Sequence, residues 1–446
     1  MKKFLLITYY WPPCGGVSVQ RWLKLTKYLP QCGWYPTVLT TENGDYPFID
    51  ESLSERVSKD VKVIRTKTIV YNKIFQALLG KKEKLPYASL KTDKKDPILK
   101  KLIYFTRIQC VSPDARIVWN NKAFKAAEYI LRAGKYSAII TSGPPHSTHL
   151  IGLRLKKKYG IRWIADFRDP WSAIHYHENE NRNIFIKSLD KNLEKKVLKF
   201  ADTVVTVSDK VAETFLTSKQ INIIPNAFDP DDFKTNYKRD DKFRIKFVGA
   251  LFDDRKEYVL RVMDWIEEIT TNPPPAPPIN VGGNLPTYIG EGEGGRNIEF
   301  TLIGAFEEIP ENIKKRFQYL KIRNLPFLKH EKVIEECIDS EILILVIAQS
   351  PNNAGILTYK LFEYIGSQTF ILGIGPENSD VQNILEKTRA GALYSYQAKA
   401  DFLNKFKELY YRWQNHEDLK NYSDVSEFSL PSICQKYKEL LEFTIR

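Results

Sequence analysis

Four stretches of the chain hold residues whose types and spacing suit an anionic, hydroxyl-bearing ligand. In WIADFRDPW, Asp166, Arg168 and Asp169 follow an apolar run and form the candidate catalytic group. Two carboxylates flanking a guanidinium either satisfy one another as an ion pair or position the hydroxyls and phosphate of a ligand. In FVGALFDDRK, Arg255 and Lys256 come just after a strand-like run and a glycine turn. Paired cations at a helix start suit a diphosphate; the alternative is two solvated charges on a first turn. In SPNNAGILTYKLFEYIGS, the loop residues Gly355, Ile356 and Leu357 offer amides to a phosphate. The short helix that follows carries Lys360 and Glu363, where Glu363 would accept hydrogen bonds from a ribose or pair with Lys360 on the helix surface. Near the start, WPPCGGVSV brings Gly15 and Gly16 to the head of a helix, either for close approach to an anion or for a tight turn. His146, His149, His175 and His177 crowd the loops around the first group, without the spacing of metal ligands.

The elements that must position these residues alternate along the chain. FLLIT, a helix from about Val17 to Leu29, PTVLT, SAIITS, RWIADF and TVVTVS give a βαβα rhythm, which implies a parallel sheet covered by helices. The rhythm restarts at FRIKFVGAL and continues through IEFTLIGAF, EILILVIA and TFILGIG. The expected organisation is a first α/β domain over 1–225, a linker over 226–242, a second over 243–420, and a C-terminal helix over 421–446 that returns toward the first. In a parallel sheet, ligands bind at the carboxyl ends of strands, where all the candidate residues fall. Two stretches interrupt the order. Residues 81–102 are lysine-dense with an apolar end, either a solvated loop or a membrane-surface contact. Residues 272–297 are rich in proline and glycine and read as a mobile loop.

Composition narrows the function classes. Of 446 residues, 43% are apolar and 27% charged, the balance of a globular protein, and the length suggests two or three domains. Five scattered cysteines show no zinc spacing and suit a reduced, cytoplasmic setting. The apolar run at the start is too short for a secretion signal, and no run approaches the ~20 residues that span a bilayer. The net charge of +13 is uneven: residues 1–225 hold 39 Lys and Arg against 20 Asp and Glu, and the remainder 28 against 34. So lopsided a field points to a polyanion or an anionic membrane at the first half, and no nucleic-acid recognition motif is present.

Taken in order, ITYYWPPCGGVSVQRWLKLTKYL, TSGPPHSTH, ADFRDPW, TVSD, IPNAFD, FVGAL, KLFEYIGS and the glycine stretch at 373–375 resemble the family 4 glycosyltransferases of bacterial surface-polysaccharide synthesis, over nearly the whole chain. The resemblance implies the GT-B fold, two Rossmann-like parallel-sheet domains facing a cleft. It implies transfer of a sugar from a nucleotide diphosphate sugar with retention at the anomeric carbon, by a front-face mechanism without metal or further cofactor. Gly15 and Gly16 match the family's glycine loop beside donor phosphates and acceptor, Lys256 its diphosphate lysine, and Glu363 its ribose glutamate. Arg255, Gly355, Ile356, Leu357 and Lys360 complete the expected donor site, with Pro144, His146 and His149 on the acceptor side.

The chain departs from the family pattern in three places. Ala250 stands where an arginine often follows the first glycine of the second domain, which leaves that charge to Arg255. Gly355 stands eight residues before Glu363, where many members place a glutamate. ADFRDPW offers Arg168 and Asp169 where many carry a histidine. The expected partners are a nucleotide sugar, a lipid-linked or glycan acceptor and the inner membrane surface, bound peripherally from the cytoplasm. Two alternatives stand beside this: a catalytically silent nucleotide-sugar-binding or scaffold subunit of a polysaccharide assembly complex, and a sugar-nucleotide epimerase on the same fold.

Overall fold

The computed structural model describes residues 1–70, 97–174, 182–235, 237, 240–251, 253–271, 297–305 and 309–446. The chain forms two compact units, Met1–Ala227 together with Leu430–Arg446, and Phe228–Ser429. Most of the stretch expected as a linker therefore belongs to the second unit. The reason is aromatic burial: Phe228 and Phe233 pack against Gly366, and the Phe228 amide donates to the Phe428 carbonyl at 3.0 Å. Residues 421–429 also fall in that unit, so the returning C-terminal segment starts at Leu430 rather than at 421. The Pro/Gly-rich stretch at 272–296 and residues 81–96 of the lysine-dense stretch lie outside the described residues.

The first unit contains β1 (Lys2–Thr8), α1 (Val17–Tyr28), β2 (Trp34–Thr41), α2 (Ser52–Glu55), β3 (Lys62–Thr66), α3 (Ile98–Cys110) and α4 (Asn120–Ala133). It continues with β4 (Ala138–Gly143), α5 (Ser147–Tyr159), β5 (Trp163–Phe167), α6 (Ile184–Phe200), β6 (Thr203–Thr206), α7 (Asp209–Glu213) and β7 (Ile221–Ile223). The seven strands are parallel in the order β3-β2-β1-β4-β5-β6-β7. Phe4, Leu5, Leu6 and Ile7 are all fully buried, because a central parallel strand is covered on both faces and so reads as an unbroken apolar run.

The second unit holds β8 (Phe243–Val248), α8 (Asp253–Thr271), β9 (Ile298–Ile303), α9 (Glu311–Arg316), β10 (Lys321–Leu325), α10 (His330–Ile338) and β11 (Ile342–Val346). α11 (Tyr359–Gly366), β12 (Phe370–Ile374), α12 (Asp380–Thr388), β13 (Gly391–Tyr394) and α13 (Lys399–Gln414) complete it. Its six strands are parallel in the order β10-β9-β8-β11-β12-β13. In both sheets the strand order reverses at one place, between β1 and β4 in the first and between β8 and β11 in the second. Loops leaving the carboxyl ends of two adjacent strands diverge there and leave a crevice, the usual ligand position of such sheets.

The last helix, α14 (Leu430–Ile445), returns to the first unit and packs on α1. A buried polar network fastens it. Asp166, fully inaccessible at the end of β5, accepts hydrogen bonds from Trp22 Nε1 at 2.8 Å, Ser142 Oγ at 2.9 Å and the Tyr437 hydroxyl at 3.1 Å. Arg21 lies 3.5 Å from the same carboxylate and donates to the Tyr437 oxygen and to the carbonyls of Ile224 and Pro225 at 2.7–2.8 Å. Burial pushes the Tyr437 hydroxyl well above the ordinary tyrosine range, so it stays a donor to the carboxylate.

Removing one partner of a buried ion pair strands the other. Arg21→Ala is therefore expected to lower unfolding free energy by about 3–5 kcal/mol in urea titrations. Lys405→Ala, which breaks the exposed pair with Glu408, should change it by less than ~1 kcal/mol. Equal effects of the two substitutions would show that the network does not hold the unit together.

Candidate functional site

In the first unit, the loop after β1 carries the two glycines. The Gly15 amide donates to the Phe48 carbonyl at 3.1 Å, and a Cβ on Gly15 would overlap the Phe48 ring. Gly16 has φ +95°, a left-handed value that glycine adopts without strain, and it stands at the head of α1 with no side-chain cap. Both glycines are thus required by the turn itself, and the Gly15 amide is already occupied.

Arg168 joins this loop to the one after β4. Its guanidinium donates to the carbonyls of Ser18 at 2.7 Å, Pro144 at 2.9 Å and Gly143 at 3.1 Å. Arg168 thereby ties the first turn of α1 to the end of β4 and the loop that follows it at the strand-order reversal, and Pro144 serves as one of its anchors. The catalytic expectation for Asp166 is corrected, since its carboxylate is fully buried among protein donors and presents no face to a substrate. Asp169 alone of the three is exposed.

The two histidines expected on the acceptor side are core residues. His149 is fully buried with its ring 4.2 Å from that of Phe167, and His146 stacks on Trp171 at 5.3 Å. His149 Nδ1 bonds the Thr141 hydroxyl at 2.9 Å, and His146 Nε2 bonds the Pro170 carbonyl at 3.1 Å. Burial pulls His146 down to about 3 and His149 well below its ordinary value, so both are neutral near pH 7. Gly143 follows from the same packing, because a Cβ there would press on both imidazoles. His175 and His177 lie outside the described residues.

In the second unit, the candidates after β8 and β11 meet at the strand-order reversal. Gly249, at φ +118°, closes the end of β8, and a Cβ there would overlap Lys360 Nζ. The lysine reaches this point from α11, with its ammonium 5.1 Å from the centre of the Phe247 ring. Burial first, and then the Arg255 charge, pull the Lys360 pKa down to about 7, opposed by Glu363. Burial likewise lowers the Arg255 guanidinium, whose Nε is buried without a partner among the described residues. Two like charges brought close in a poorly solvated place, with no hydrogen-bonded carboxylate on either among the described residues, could cradle an anion. Lys256 is half-buried in the same turn of α8.

The neighbouring groups hold the cradle in shape. The Tyr364 hydroxyl accepts from the Val248 amide at 3.2 Å, tying α11 to the end of β8. Asn353 Nδ2 bonds the Ala348 carbonyl at 3.0 Å and the Tyr396 hydroxyl at 2.8 Å, which shapes the loop carrying Gly355, Ile356 and Leu357 into α11. The Thr358 hydroxyl, at the N-cap of α11, is buried without a partner among the described residues. Glu363 does not pair with Lys360 by a hydrogen bond; His330 Nε2 donates to its Oε1 at 2.7 Å. Sequence inspection missed His330, although it opens α10 just past a strand at the same carboxyl edge as the other candidates. Among the described residues, no group of three or more His, Cys, Asp or Glu is placed to hold a metal ion.

Comparison with known proteins agrees with this architecture. No curated protein matches the chain by sequence. Sucrose-phosphate synthase from Thermosynechococcus elongatus superposes with a TM-score of 0.59 at 13% identity, covering 99% of both chains. HepE of Anabaena, solved in complex with UDP-glucose, gives 0.57 at 12% identity over 99% of each chain. A UDP-forming α,α-trehalose-phosphate synthase from Burkholderia xenovorans also gives 0.57 at 12%, over 100% of this chain and 99% of its own. The family model described as Glycosyltransferase Family 4 matches residues 15–232, the span of the glycine loop, the ADFRDPW strand end and the IPNAFD segment. With two Rossmann-like parallel sheets the chain has the GT-B fold, and over residues 15–232 it is similar to the glycosyltransferases of family 4.

Proposed function

We propose that the chain transfers a sugar from a nucleotide diphosphate sugar, with retention and without a metal, to a lipid-linked or glycan acceptor in cell-surface polysaccharide synthesis. The observation that carries this is the pair of cations Arg255 and Lys360, held at the strand-order reversal of the second unit without a carboxylate hydrogen-bonded to either among the described residues. The donor diphosphate occupies the cradle, with the N-terminus of α11 beside it and Glu363 on the ribose. As the bond between the anomeric carbon and the phosphate oxygen breaks, negative charge grows on the diphosphate, and both cations stabilise it more than they stabilise the bound donor. The departing phosphate oxygen takes the proton of the acceptor hydroxyl as the new glycosidic bond forms on the same face. With Asp166, His146 and His149 buried, this route needs no base from those residues. HepE was solved with UDP-glucose and the Burkholderia xenovorans synthase is UDP-forming, which supports a nucleoside diphosphate donor here.

The basic first unit takes the acceptor side, and we place it against an anionic membrane from the cytoplasm. On α3, Ile98, Leu102 and Phe105 recur at helical spacing and are exposed. Ile184 and Phe185, exposed at the start of α6, lie next to that helix, since the Asn183 amide bonds Gln109 of α3 at 2.8 Å. Lys100, Lys101 and Lys187 belong to the same two helices. No described helix is long and apolar enough to cross a membrane.

Two outcomes test this. Inorganic pyrophosphate, UDP, ADP and GDP are titrated against the wild type and Lys360→Ala, and transfer is then assayed from the matching nucleotide sugars. Loss of the lysine should weaken diphosphate binding by about 1.5–3 kcal/mol. Because Lys360 is half-neutral near pH 7 in the free protein, binding the anion takes up a proton above that pH. Affinity should therefore fall by up to about tenfold per pH unit from 7 upward, and Lys360→Ala should flatten the slope. A wild type that ignores pyrophosphate and every nucleotide would refute the donor site. Binding without transfer across a panel of acceptors would make the chain a silent nucleotide-sugar-binding subunit.

For the membrane face, wild type should co-sediment with phosphatidylserine-containing vesicles at low salt. It should be released by Lys100→Glu/Lys101→Glu/Lys187→Glu, each lysine contributing about 1 kcal/mol. Wild type left in the supernatant at low salt would remove the membrane from the proposal.

A further inference from the structure

Glu363 is held by one side chain that no motif of the sequence marks. His330, the first residue of α10, donates Nε2–H to Glu363 Oε1 at 2.7 Å, and both side chains are largely buried. Its Nδ1 lies 4.0 Å from Asp232 Oδ2. Asp232 is itself fixed, because the Phe228 and Phe233 rings on either side of it clamp against Gly366 at the end of α11. Three segments distant in sequence thus converge on one carboxylate: 228–233, the start of α10, and α11.

A carboxylate has two oxygens and rotates about its terminal torsion, which is broad and roughly two-fold. A charge-assisted hydrogen bond to one oxygen removes that freedom and leaves the lone pairs of the other in a fixed direction. We infer that His330 is a positioning residue of the donor site: by holding Glu363 Oε1 it presents Oε2 to the ribose hydroxyls of the nucleotide and sets the preference for ribose over deoxyribose. The inference rests on the proposed role of Glu363. His330 touches neither the diphosphate nor the transferred sugar in this assignment, so its loss leaves the cation cradle intact.

The experiment measures binding of UDP, ADP and GDP, of their 2′- and 3′-deoxy forms, and of inorganic pyrophosphate to wild type, Glu363→Gln, His330→Phe, His330→Gln and the His330→Phe/Glu363→Gln double variant. His330→Phe keeps a ring in the space and removes the donor; His330→Gln keeps a donor. The expected result is a tenfold or greater loss of ribonucleotide affinity in His330→Phe, unchanged pyrophosphate affinity, a ribo-to-deoxyribo ratio that falls toward one, and partial rescue in His330→Gln. The double variant should be no worse than Glu363→Gln, since the two residues act through one bond. A purely structural histidine would lower the unfolding midpoint without moving the ribo-to-deoxyribo ratio, and that result overturns the inference. Ribonucleotide binding weakened by Glu363→Gln and untouched by His330→Phe overturns it alone. An unaffected Glu363→Gln overturns the ribose role of Glu363 and this inference with it.

Discussion

One fully buried carboxylate organises the first unit. Burying an ionised group costs several kcal/mol unless partners replace its water, and Asp166 has none of its surface exposed. Its partners come from α1, β4 and α14, so satisfying this charge fixes the carboxyl end of β5, the first turns after the glycine loop and the returning last helix together. Arg168, two residues on, extends the arrangement outward by holding the carbonyls of both loops at the strand-order reversal. The loop geometry of this unit follows from charge satisfaction as much as from the apolar core.

The second unit does the opposite at the equivalent place. Arg255 and Lys360 are brought into a poorly solvated corner with no carboxylate bonded to them among the described residues, and burial lowers the basicity of both. A fold tolerates such an arrangement only if the rest of the unit over-determines it, here through Gly249, Phe247, Tyr364 and the core beneath them. An anion that fills the cradle relieves the repulsion and the missing hydrogen bonds at once, which is why unpaired buried charge marks a binding site more reliably than paired charge does.

Much of the architecture was legible in the chain. FLLIT, SAIITS, ILILV and FILGI are unbroken apolar runs, and such runs separated by helical stretches have few solutions other than a covered parallel sheet. Arg255, Lys360 and Glu363 were legible as a set because they lie near strand ends, close to short loops and on helix starts. His330 was not, since a single histidine after a proline-containing loop carries no local pattern. Asp166, Arg168, His146 and His149 were legible as polar residues at strand ends but not as structural ones, because a polar residue one step inside the sheet edge looks the same in sequence as one step outside it.

The sequence by itself determined the two α/β repeats, the edge of each sheet at which chemistry is possible, and which charged groups stand there. Only the tertiary structure decided which charges are satisfied by the chain's own donors and which, among the described residues, are not. The physical reason is the range of the contacts: Asp166 is bonded by residues 24, 144 and 271 positions away, whereas periodicity and spacing report on neighbours within a few turns. Whether a carboxylate acts as a strut or a reagent depends on donors that the chain brings to it from elsewhere, and those donors are fixed by packing.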